Sequence, residues 1–179
     1  MRVIRAAEFK ETRWRNGMGL SWDIASDPPA IEDFGWRFAV ARIDADVPFS
    51  HYPNTDRVFT LIDGQGLDLD FDGGKTLAVA RRFMPNTFAC DVPAFCRLRD
   101  GPCRALNLFT QRGMWTAAAD VVSGATVITQ AGPILLFALE GVSRIDDQML
   151  DQGDAAIALE RVDVSAAGAL LYAARLTKA

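Results

Sequence analysis

Leu61-Ile62-Asp63-Gly64-Gln65-Gly66-Leu67-Asp68 is the stretch of sequence that decides the fold. It places an apolar strand before an acidic-glycine turn and a second strand after that turn. A similar pattern returns at Ala138-Leu139-Glu140-Gly141-Val142-Ser143-Arg144-Ile145-Asp146, and Leu150-Asp151-Gln152-Gly153-Asp154 then adds a Gly-Asp turn. Glycine suits such turns because it adopts a positive φ without steric cost. Two copies of this pattern predict two small, similar β-barrels or sandwiches in one chain.

Period-two alternation recurs along the rest of the chain and predicts short strands separated by glycine-containing turns. The predicted strands are 36–43, 57–62, 67–71, 95–98, 104–109, 125–129, 134–139, 155–159 and 169–176. At most a helical turn or two fits within residues 6–13, and Pro28-Pro29 predicts a surface loop. The sequence therefore predicts an all-β, cupin-like chain: a bicupin of two fused antiparallel β-barrels or sandwiches.

The two copies of the repeat have no linker rich in Pro, Gly or Ser between them, so the halves are expected to be closely fused. Residues 1–179 are interpreted as a single compact bicupin unit. Its N-terminal half is about 1–115 and carries the motifs, and its C-terminal half is 116–179.

Composition narrows the possible partners. Half of the 179 residues are hydrophobic, which is enough for a large core. A net charge of −4 without a Lys/Arg cluster argues against nucleic acid. No apolar run approaches the ~18 residues of a membrane span, and Met1-Arg2-Val3-Ile4-Arg5 does not resemble a signal peptide, so a cytoplasmic protein without a membrane partner is expected. The spacing of Cys90, Cys96 and Cys103 predicts buried, reduced thiols.

His51 is the only histidine of the chain. An ordinary cupin metal site needs several imidazole nitrogens, so we expect no metal and no cofactor. The aspartates with alternating spacing are typical of a solvent-exposed face: Asp44, Asp46, Asp68, Asp70 and Asp72. One alternative stays open, a metal-free isomerase, epimerase or lyase in which His51 is the general base, oriented by Asp56, or in which a carboxylate is the base. No residue is assigned as catalytic.

Polar side chains within apolar strands predict a ligand pocket. Arg57 shares one strand face with Phe59 and Leu61, where its guanidinium is placed to bind a ligand carboxylate bidentately. Arg37 shares a face with two alanines, which leave room around it. Asn107 lies in a strand with two apolar faces, so its amide is expected to be hydrogen-bonded inside.

The predicted ligand-binding residues combine aromatic walls, amide groups, a cation and a tight turn: Trp14, Asn16, Gly17, Trp36, Arg37, Phe49, Arg57 and Asn107. In this interpretation Arg57 binds the anion, the two asparagines donate to or accept from the ligand, and backbone N–H groups near Gly17 contribute. The structural alternative places Arg37 and Arg57 in buried salt bridges and has the two asparagines fix turns. The candidate acids for those salt bridges are Asp56, Asp63 and Asp91.

Five segments follow one another along residues 10–115: Trp14-Arg15-Asn16-Gly17-x-Gly19, Trp36-Arg37-x-Ala39-x-Ala41, Pro48-Phe49-Ser50-x-x-Pro53-x-x-Asp56-Arg57, Leu61-x-x-Gly64-x-Gly66 and Gly101-Pro102-x-x-x-Leu106-Asn107-x-x-x-x-Arg112-Gly113. In this order they resemble the HutD/Ves family of bacterial cupin-like proteins. The resemblance implies a metal-free bicupin, often a dimer, associated with histidine utilisation or stress response. The chain departs from the family pattern in three places: Met18 replaces a glycine, Ser21-x-Asp23 replaces a Thr-x-Glu and keeps its chemistry, and Ala105 replaces an acidic residue.

These observations favour a non-catalytic protein that binds a small carboxylate, such as an intermediate of histidine breakdown, and that forms a homodimer. A role as a regulator of histidine utilisation follows from the resemblance alone. The remaining alternative is a structural or interaction module, in which the alanine-rich segment 168–176 forms an edge strand for dimer pairing.

Overall fold

Antiparallel β-strands make up most of the chain in the computed structural model, which describes residues 1–28 and 34–179. The strands are β1 Arg2–Ile4, β2 Lys10–Arg13, β3 Leu20–Asp27, β4 Trp36–Ile43, β5 Val47–Pro48, β6 Thr55–Asp63, β7 Leu67–Phe71, β8 Thr76–Val79, β9 Pro85–Ala89, β10 Ala94–Leu98, β11 Cys103–Gln111, β12 Trp115–Glu140, β13 Ser143–Ile145, β14 Gln148–Leu150 and β15 Ala155–Lys178. A single turn of 3-10 helix spans Ala6–Glu8, and no α-helix occurs within those two ranges. The all-β prediction is confirmed.

Most predicted strands lie where the alternation placed them. β4 and β7 have the predicted bounds, and β6, β10 and β11 extend the predicted segments by one to two residues at their ends. The last four predicted strands are parts of β12 and β15, two long strands that pair with register shifts. Of the residues 6–13 only Ala6–Glu8 is helical, because β2 begins at Lys10. The Pro28-Pro29 loop falls partly outside the described residues, since Pro29 is not among them.

The chain divides into two compact units, one of Lys10–Met114 and one of Met1–Phe9 with Trp115–Ala179. The interpretation as one bicupin unit with halves near residue 115 stays a prediction. Within the described part of the chain, no helix is long and apolar enough to cross a bilayer.

The unit Lys10–Met114 contains two sheets. Six strands pair in the order β2-β3-β4-β11-β6-β9, and four pair in the order β5-β10-β7-β8. Side chains from both sheets meet in one apolar core, in which the largest fully buried members include Phe59 and Leu61 from the first sheet and Leu67 and Leu69 from the second. The first copy of the repeat, β6 to β7, connects the two sheets. Its Gly64 has φ +95°, and a Cβ there would lie 2.6 Å from the Pro102 carbonyl oxygen, so only glycine fits the turn.

The other unit forms one sheet in the order β1-β15-β13-β14, with β12 also paired to β15. The second copy of the repeat is its β12-turn-β13 segment, with Gly141 at φ +68°. The predicted edge strand at 168–176 is wrong. Tyr172 pairs with Val121 on one side and with Phe137 on the other, and its neighbours from Leu171 to Arg175 are flanked in the same way. A segment flanked on both sides has no open backbone edge for a second copy to join.

Asp154, which ends the second repeat, attaches the N-terminal segment to this unit. Its buried carboxylate accepts hydrogen bonds from Ala6 N at 2.8 Å, Arg5 Nη1 at 2.7 Å and Asp151 N at 3.3 Å. Burial alone would raise its pKa, but these donors hold the pKa of Asp154 below its ordinary value. The carboxylate is therefore charged and paired at neutral pH.

Candidate functional site

A cavity in the unit Lys10–Met114 combines aromatic rings with polar groups. Its lining side chains come from β3, β4, β6, β11, the turn before β3 and the loop after β5: Trp14, Ser21, Arg37, Ala41, Phe49, Ser50, Tyr52, Arg57, Asn107 and Phe109. The empty space, including its opening to solvent, is about 320 Å³. Only about 20 Å³ of it is wide enough for the centre of a water molecule. The cavity is therefore narrow, with room for a small group.

Strand register brings the three predicted polar residues together. β11 lies between β4 and β6, and its Phe109 is directly opposite both Arg37 and Arg57. Asn107, two residues earlier, points to the same face because side chains alternate along a strand. The two arginines therefore lie on either side of β11 on one face of the sheet, with Phe109 between them.

Arg57 is the central group of the cavity, and the described residues provide it with no acidic partner. It is 6% exposed, and its Nε and Nη2 both donate to Asn107 Oδ1, at 2.8 and 2.5 Å. Asn107 is 1% exposed and donates from Nδ2 to the Ala105 carbonyl oxygen at 3.1 Å, so its amide is hydrogen-bonded inside, as predicted. Nη1 of Arg57 has no hydrogen-bond partner in the described part of the chain. The Arg57 guanidinium is thus hydrogen-bonded to a neutral amide through Nε and Nη2, while its Nη1 has no acceptor among the described residues.

Aromatic rings form the rest of the Arg57 environment. Its guanidinium carbon lies 4.6 Å from the ring centre of Phe49, 4.9 Å from Phe109, 5.0 Å from Phe59 and 5.6 Å from Phe88. Ring faces attract a cation but do not neutralise it. Burial lowers the pKa of Arg57, and the positive charge of Arg37 adds to this effect. An arginine nevertheless stays protonated.

Arg37, in the same cavity, is paired. Its Nη2 lies 2.6 Å from Asp23 Oδ1 and its Nε donates to the same oxygen at 2.8 Å. Weaker hydrogen bonds from the same guanidinium reach the hydroxyls of Tyr52 at 3.4 Å and Thr12 at 3.3 Å. The structural alternative is therefore wrong in its partners: Arg37 pairs with Asp23 instead of the three candidate acids, and Arg57 pairs with none of them.

Three hydroxyl groups complete the polar lining. The Ser21 hydroxyl makes no hydrogen bond within residues 1–28 and 34–179. Those of Ser50 and Tyr52 each accept one, from Asn16 N at 3.3 Å and from Arg37 Nη1 at 3.4 Å, which leaves their hydrogens available. Together with Nη1 of Arg57, the cavity presents donors without matching acceptors. A set of donors of this kind is chemically suited to an anion.

The turn from Trp14 to Gly19 forms one wall of the cavity. Trp14 packs edge-on against Phe49 with ring centres 5.7 Å apart, and its indole N–H donates to the Leu20 carbonyl oxygen at 3.0 Å. Gly19 lies directly beneath the indole, since a Cβ there would be 2.5 Å from Trp14 Cε2. Asn16 fixes the turn from outside by donating from Nδ2 to the Pro48 carbonyl oxygen at 2.8 Å.

Comparison with known proteins gives the chain its family. The family model described as HutD matches residues 6–172. This chain belongs to the HutD/Ves family. Protein Ves of Cronobacter sakazakii is 33% identical over 138 residues, which cover 76% of this chain and 75% of that protein.

Solved structures agree with the HutD assignment. HutD from Pseudomonas fluorescens SBW25, in a formate condition, has 26% identity and a TM-score of 0.88, and the match covers 99% of this chain and 98% of that one. The pirin YhhW from Escherichia coli, in complex with nickel(II), has 10% identity and a TM-score of 0.68 with 97% of each chain covered, which shows the fold alone. The cupin-like fold is confirmed, and its bicupin form stays a prediction.

Five of the eight predicted ligand-binding residues of this HutD-family chain line the cavity: Trp14, Arg37, Phe49, Arg57 and Asn107. Trp36 does not, because it alternates with Arg37 along β4 and lies on the opposite face of the sheet. Asn16 and Gly17 are exposed in the turn and stay outside the lining, with Gly17 at φ +73°. Asn16 thus fixes a turn, as the structural alternative held, while Asn107 lies within β11.

The His51 and Asp56 side chains are engaged elsewhere. His51 is exposed, and its Nε2 lies 3.2 Å from the main-chain oxygen of Asp91. Asp56 accepts from Arg112 Nη2 at 2.7 Å, and Arg112 also binds the Asp91 carboxylate. Within the described residues His51 and Asp56 share no hydrogen bond, and no three His, Cys, Asp or Glu side chains group as metal ligands would. The absence of a metal stays a prediction.

The three cysteines are buried and unpaired, as predicted. Burial raises the pKa of Cys90 to about 11 and that of Cys96 to about 12, so both are neutral thiols.

Five lining residues and one supporting acid were not among the predicted ligand-binding residues: Ser21, Ala41, Ser50, Tyr52, Phe109 and Asp23. Ser21 and Asp23 belong to β3, which was not among the predicted strands. The Ser21-x-Asp23 spacing, which replaces the Thr-x-Glu of the family pattern, was the available signal. Ser50 and Tyr52 lie in the loop between β5 and β6, whose path no periodicity reveals.

Proposed function

We propose that this HutD-family protein binds a small carboxylate in the cavity, with Arg57 as the counter-cation. One observation carries the proposal: a buried guanidinium is held by a neutral amide and has no acidic partner in the described part of the chain. Removing a charge from water costs several kcal/mol unless an opposite charge compensates it. An anion in the cavity would supply that compensation, while a purely structural arginine would be expected to have an acid beside it, as Arg37 has.

The narrowness of the cavity supports a carboxylate over a larger oxyanion. About 20 Å³ is open to the centre of a water molecule, and one water needs roughly 10–15 Å³ by the same measure. A planar group with two oxygens is closer to this size than a tetrahedral phosphate. A carboxylate also suits a guanidinium whose Nη1 is unoccupied, because it accepts hydrogen bonds only.

The lining suggests distinct roles for the predicted residues. Arg57 binds the anion, and Asn107 orients Arg57, since its Oδ1 accepts from Arg57 and its Nδ2 is anchored to the Ala105 carbonyl oxygen. Trp14 and Phe49 form walls, and the hydroxyls of Ser21, Ser50 and Tyr52 donate to the carboxylate. Asn16 and Gly17 act through the turn that holds Trp14. Arg37 supplies a second positive charge that Asp23 already balances.

The family suggests the biological setting. We propose a non-catalytic binding protein that regulates histidine utilisation, as the HutD/Ves resemblance implies, and that works in the cytoplasm as a homodimer. His51 and Asp56 have other partners, which favours binding over the base-catalysed alternative. Sedimentation of the purified chain tests the dimer.

Calorimetric titration of the purified full chain with formate and with acetate tests the binding function. The chain is expected to bind both, and Arg57→Met, which keeps an unbranched apolar stem, is expected to lose both while its circular dichroism stays native. Arg57→Lys keeps the charge without the planar fork and should bind more weakly than the native chain. The matched control is Arg104→Met, which removes an exposed arginine from β11. Unchanged binding in Arg57→Met would exclude this function.

A further inference from the structure

Arg15 is a second arginine near the cavity, and residues 1–28 and 34–179 provide it with no acidic partner. It is exposed, next to Trp14 in the turn, and its guanidinium carbon lies 5.7 Å from the ring centre of Tyr52. It makes no ion pair or hydrogen bond within residues 1–28 and 34–179. Tyr52 is also a wall of the cavity that contains Arg57. Tyr52 therefore lies beside the Arg15 guanidinium and also lines the cavity that contains Arg57.

A wide groove lies on the Arg15 side of Tyr52. Arg15, Tyr52 and Gln111 line it together with apolar side chains that include Phe34 and Met114. About 480 Å³ of the groove is wide enough for the centre of a water molecule, against about 20 Å³ in the cavity. A carboxylate that fills the cavity must extend the rest of its molecule elsewhere, and a chain that follows Tyr52 enters this groove.

The polar groups of the groove are again donors. The side-chain amide of Gln111 has no hydrogen-bond partner among the described residues, and it shares the groove with the Arg15 guanidinium. Between these groups and Arg57 the surface consists of the rings of Tyr52 and Phe109, whose centres are 5.2 Å apart. This order of a cation, an aromatic wall and a second cation matches a molecule that is charged at both ends and apolar in the middle.

We infer that the ligand is a dicarboxylate: one carboxylate binds Arg57 inside the cavity, the short carbon chain lies along Tyr52, and the second carboxylate binds Arg15 and Gln111 in the groove. This inference rests on the proposed binding function and adds a second recognition point, formed by Arg15 and Gln111. Because Arg15 is exposed, its contribution is modest and depends on salt.

The test compares dicarboxylates with monocarboxylates of equal carbon count: succinate with butyrate, and glutarate with valerate. Calorimetric titrations use the full chain at low ionic strength. Each dicarboxylate is expected to bind about twofold to fivefold more tightly than its partner, as an exposed charge pair allows. Arg15→Gln should remove that advantage and leave the butyrate affinity unchanged. The matched control, Arg13→Gln, changes an exposed arginine two residues away that does not line the groove and should keep the advantage.

The two proposals fail in different ways. If the monocarboxylates bind through Arg57 but succinate and glutarate gain nothing over them, or keep their gain in Arg15→Gln, the second recognition point is refuted and the binding function stands. If Arg15→Gln weakens butyrate as much as succinate, Arg15 acts on the cavity itself and the inference is again refuted. If no carboxylate binds the native chain, the binding function fails first.

Discussion

Asn107→Asp is the most informative single substitution in the cavity, because it changes charge and hardly changes shape. The Asn107 side-chain oxygen accepts from Nε and Nη2 of Arg57. A carboxylate at this position would accept the same two hydrogen bonds and add the negative charge that Arg57 lacks. The cavity would then contain its own counter-ion, and an external anion would lose its advantage.

The size of the effect follows from the geometry. Two carboxylates that flank one guanidinium lie about 8 Å apart and repel each other by about 2 kcal/mol at an effective dielectric constant of about 20. Acetate affinity should therefore fall roughly 30-fold. The substitution also removes the hydrogen bond from Nδ2 to the Ala105 carbonyl oxygen; that loss by itself lowers the free energy of unfolding by about 1–3 kcal/mol and opposes the gain from pairing Arg57 with an acid.

Asn86→Asp is the matched control, because it makes the same chemical change outside the cavity. Asn86 also donates its Nδ2 to a carbonyl oxygen two residues earlier, that of Met84 at 2.8 Å, but it lies outside the cavity. Acetate titration by calorimetry, with urea unfolding in parallel, should show weakened binding in Asn107→Asp alone. Native acetate affinity in a folded Asn107→Asp protein would refute the reasoning that the Arg57 charge is available to a ligand.

Three further substitutions test the surroundings. Gly19→Ala should displace the indole of Trp14, because the new Cβ would lie 2.5 Å from it, and should change the tryptophan fluorescence and weaken acetate binding; unchanged spectra would contradict the contact. Asp23→Asn leaves Arg37 buried without its acid and should lower the free energy of unfolding by about 2 kcal/mol, while acetate should raise the melting temperature more than in the native chain. Asp154→Asn should lower the free energy of unfolding by about 1–3 kcal/mol at pH 7. The pKa of Asp154 is depressed in the folded state, so the difference in unfolding free energy between the native chain and the variant should be complete at neutral pH. Urea titrations should show this difference vanish as the pH falls below about 4 and through the folded pKa.

Strand alternation was enough to predict the polar centre of the site. Residues two apart on β6 and β11 share a face, so Arg57 and Asn107 could each be assigned to an inward row from sequence alone. The same rule excludes Trp36 once Arg37 is known to point inward. The family motifs added the turn that begins at Trp14, which no periodicity would have singled out.

Pairing between distant strands is what sequence reasoning could not supply. Whether Arg37 contacts Asp23 depends on β3 lying beside β4, and that neighbourhood is set by the packing of the whole sheet. The partner of Arg57 was open for the same reason: three aspartates were plausible, and the register of β11 instead brought an amide. The edge strand predicted at 168–176 was wrong because an alanine-rich apolar segment also suits the centre of a sheet.

The two arginines of the cavity, Arg37 and Arg57, have similar positions but different partners. Both are buried, both lie on one sheet face beside Phe109, and their strands flank the same central strand. Asp23 Oδ1 lies 2.6 Å from Arg37 Nη2, so the fold can neutralise a buried cation on this face of the sheet. Beside Arg57 it places an asparagine. A chain whose only requirement was stability would gain from an acid or an apolar residue there, and this supports the proposal that an anion from outside the chain pairs with Arg57.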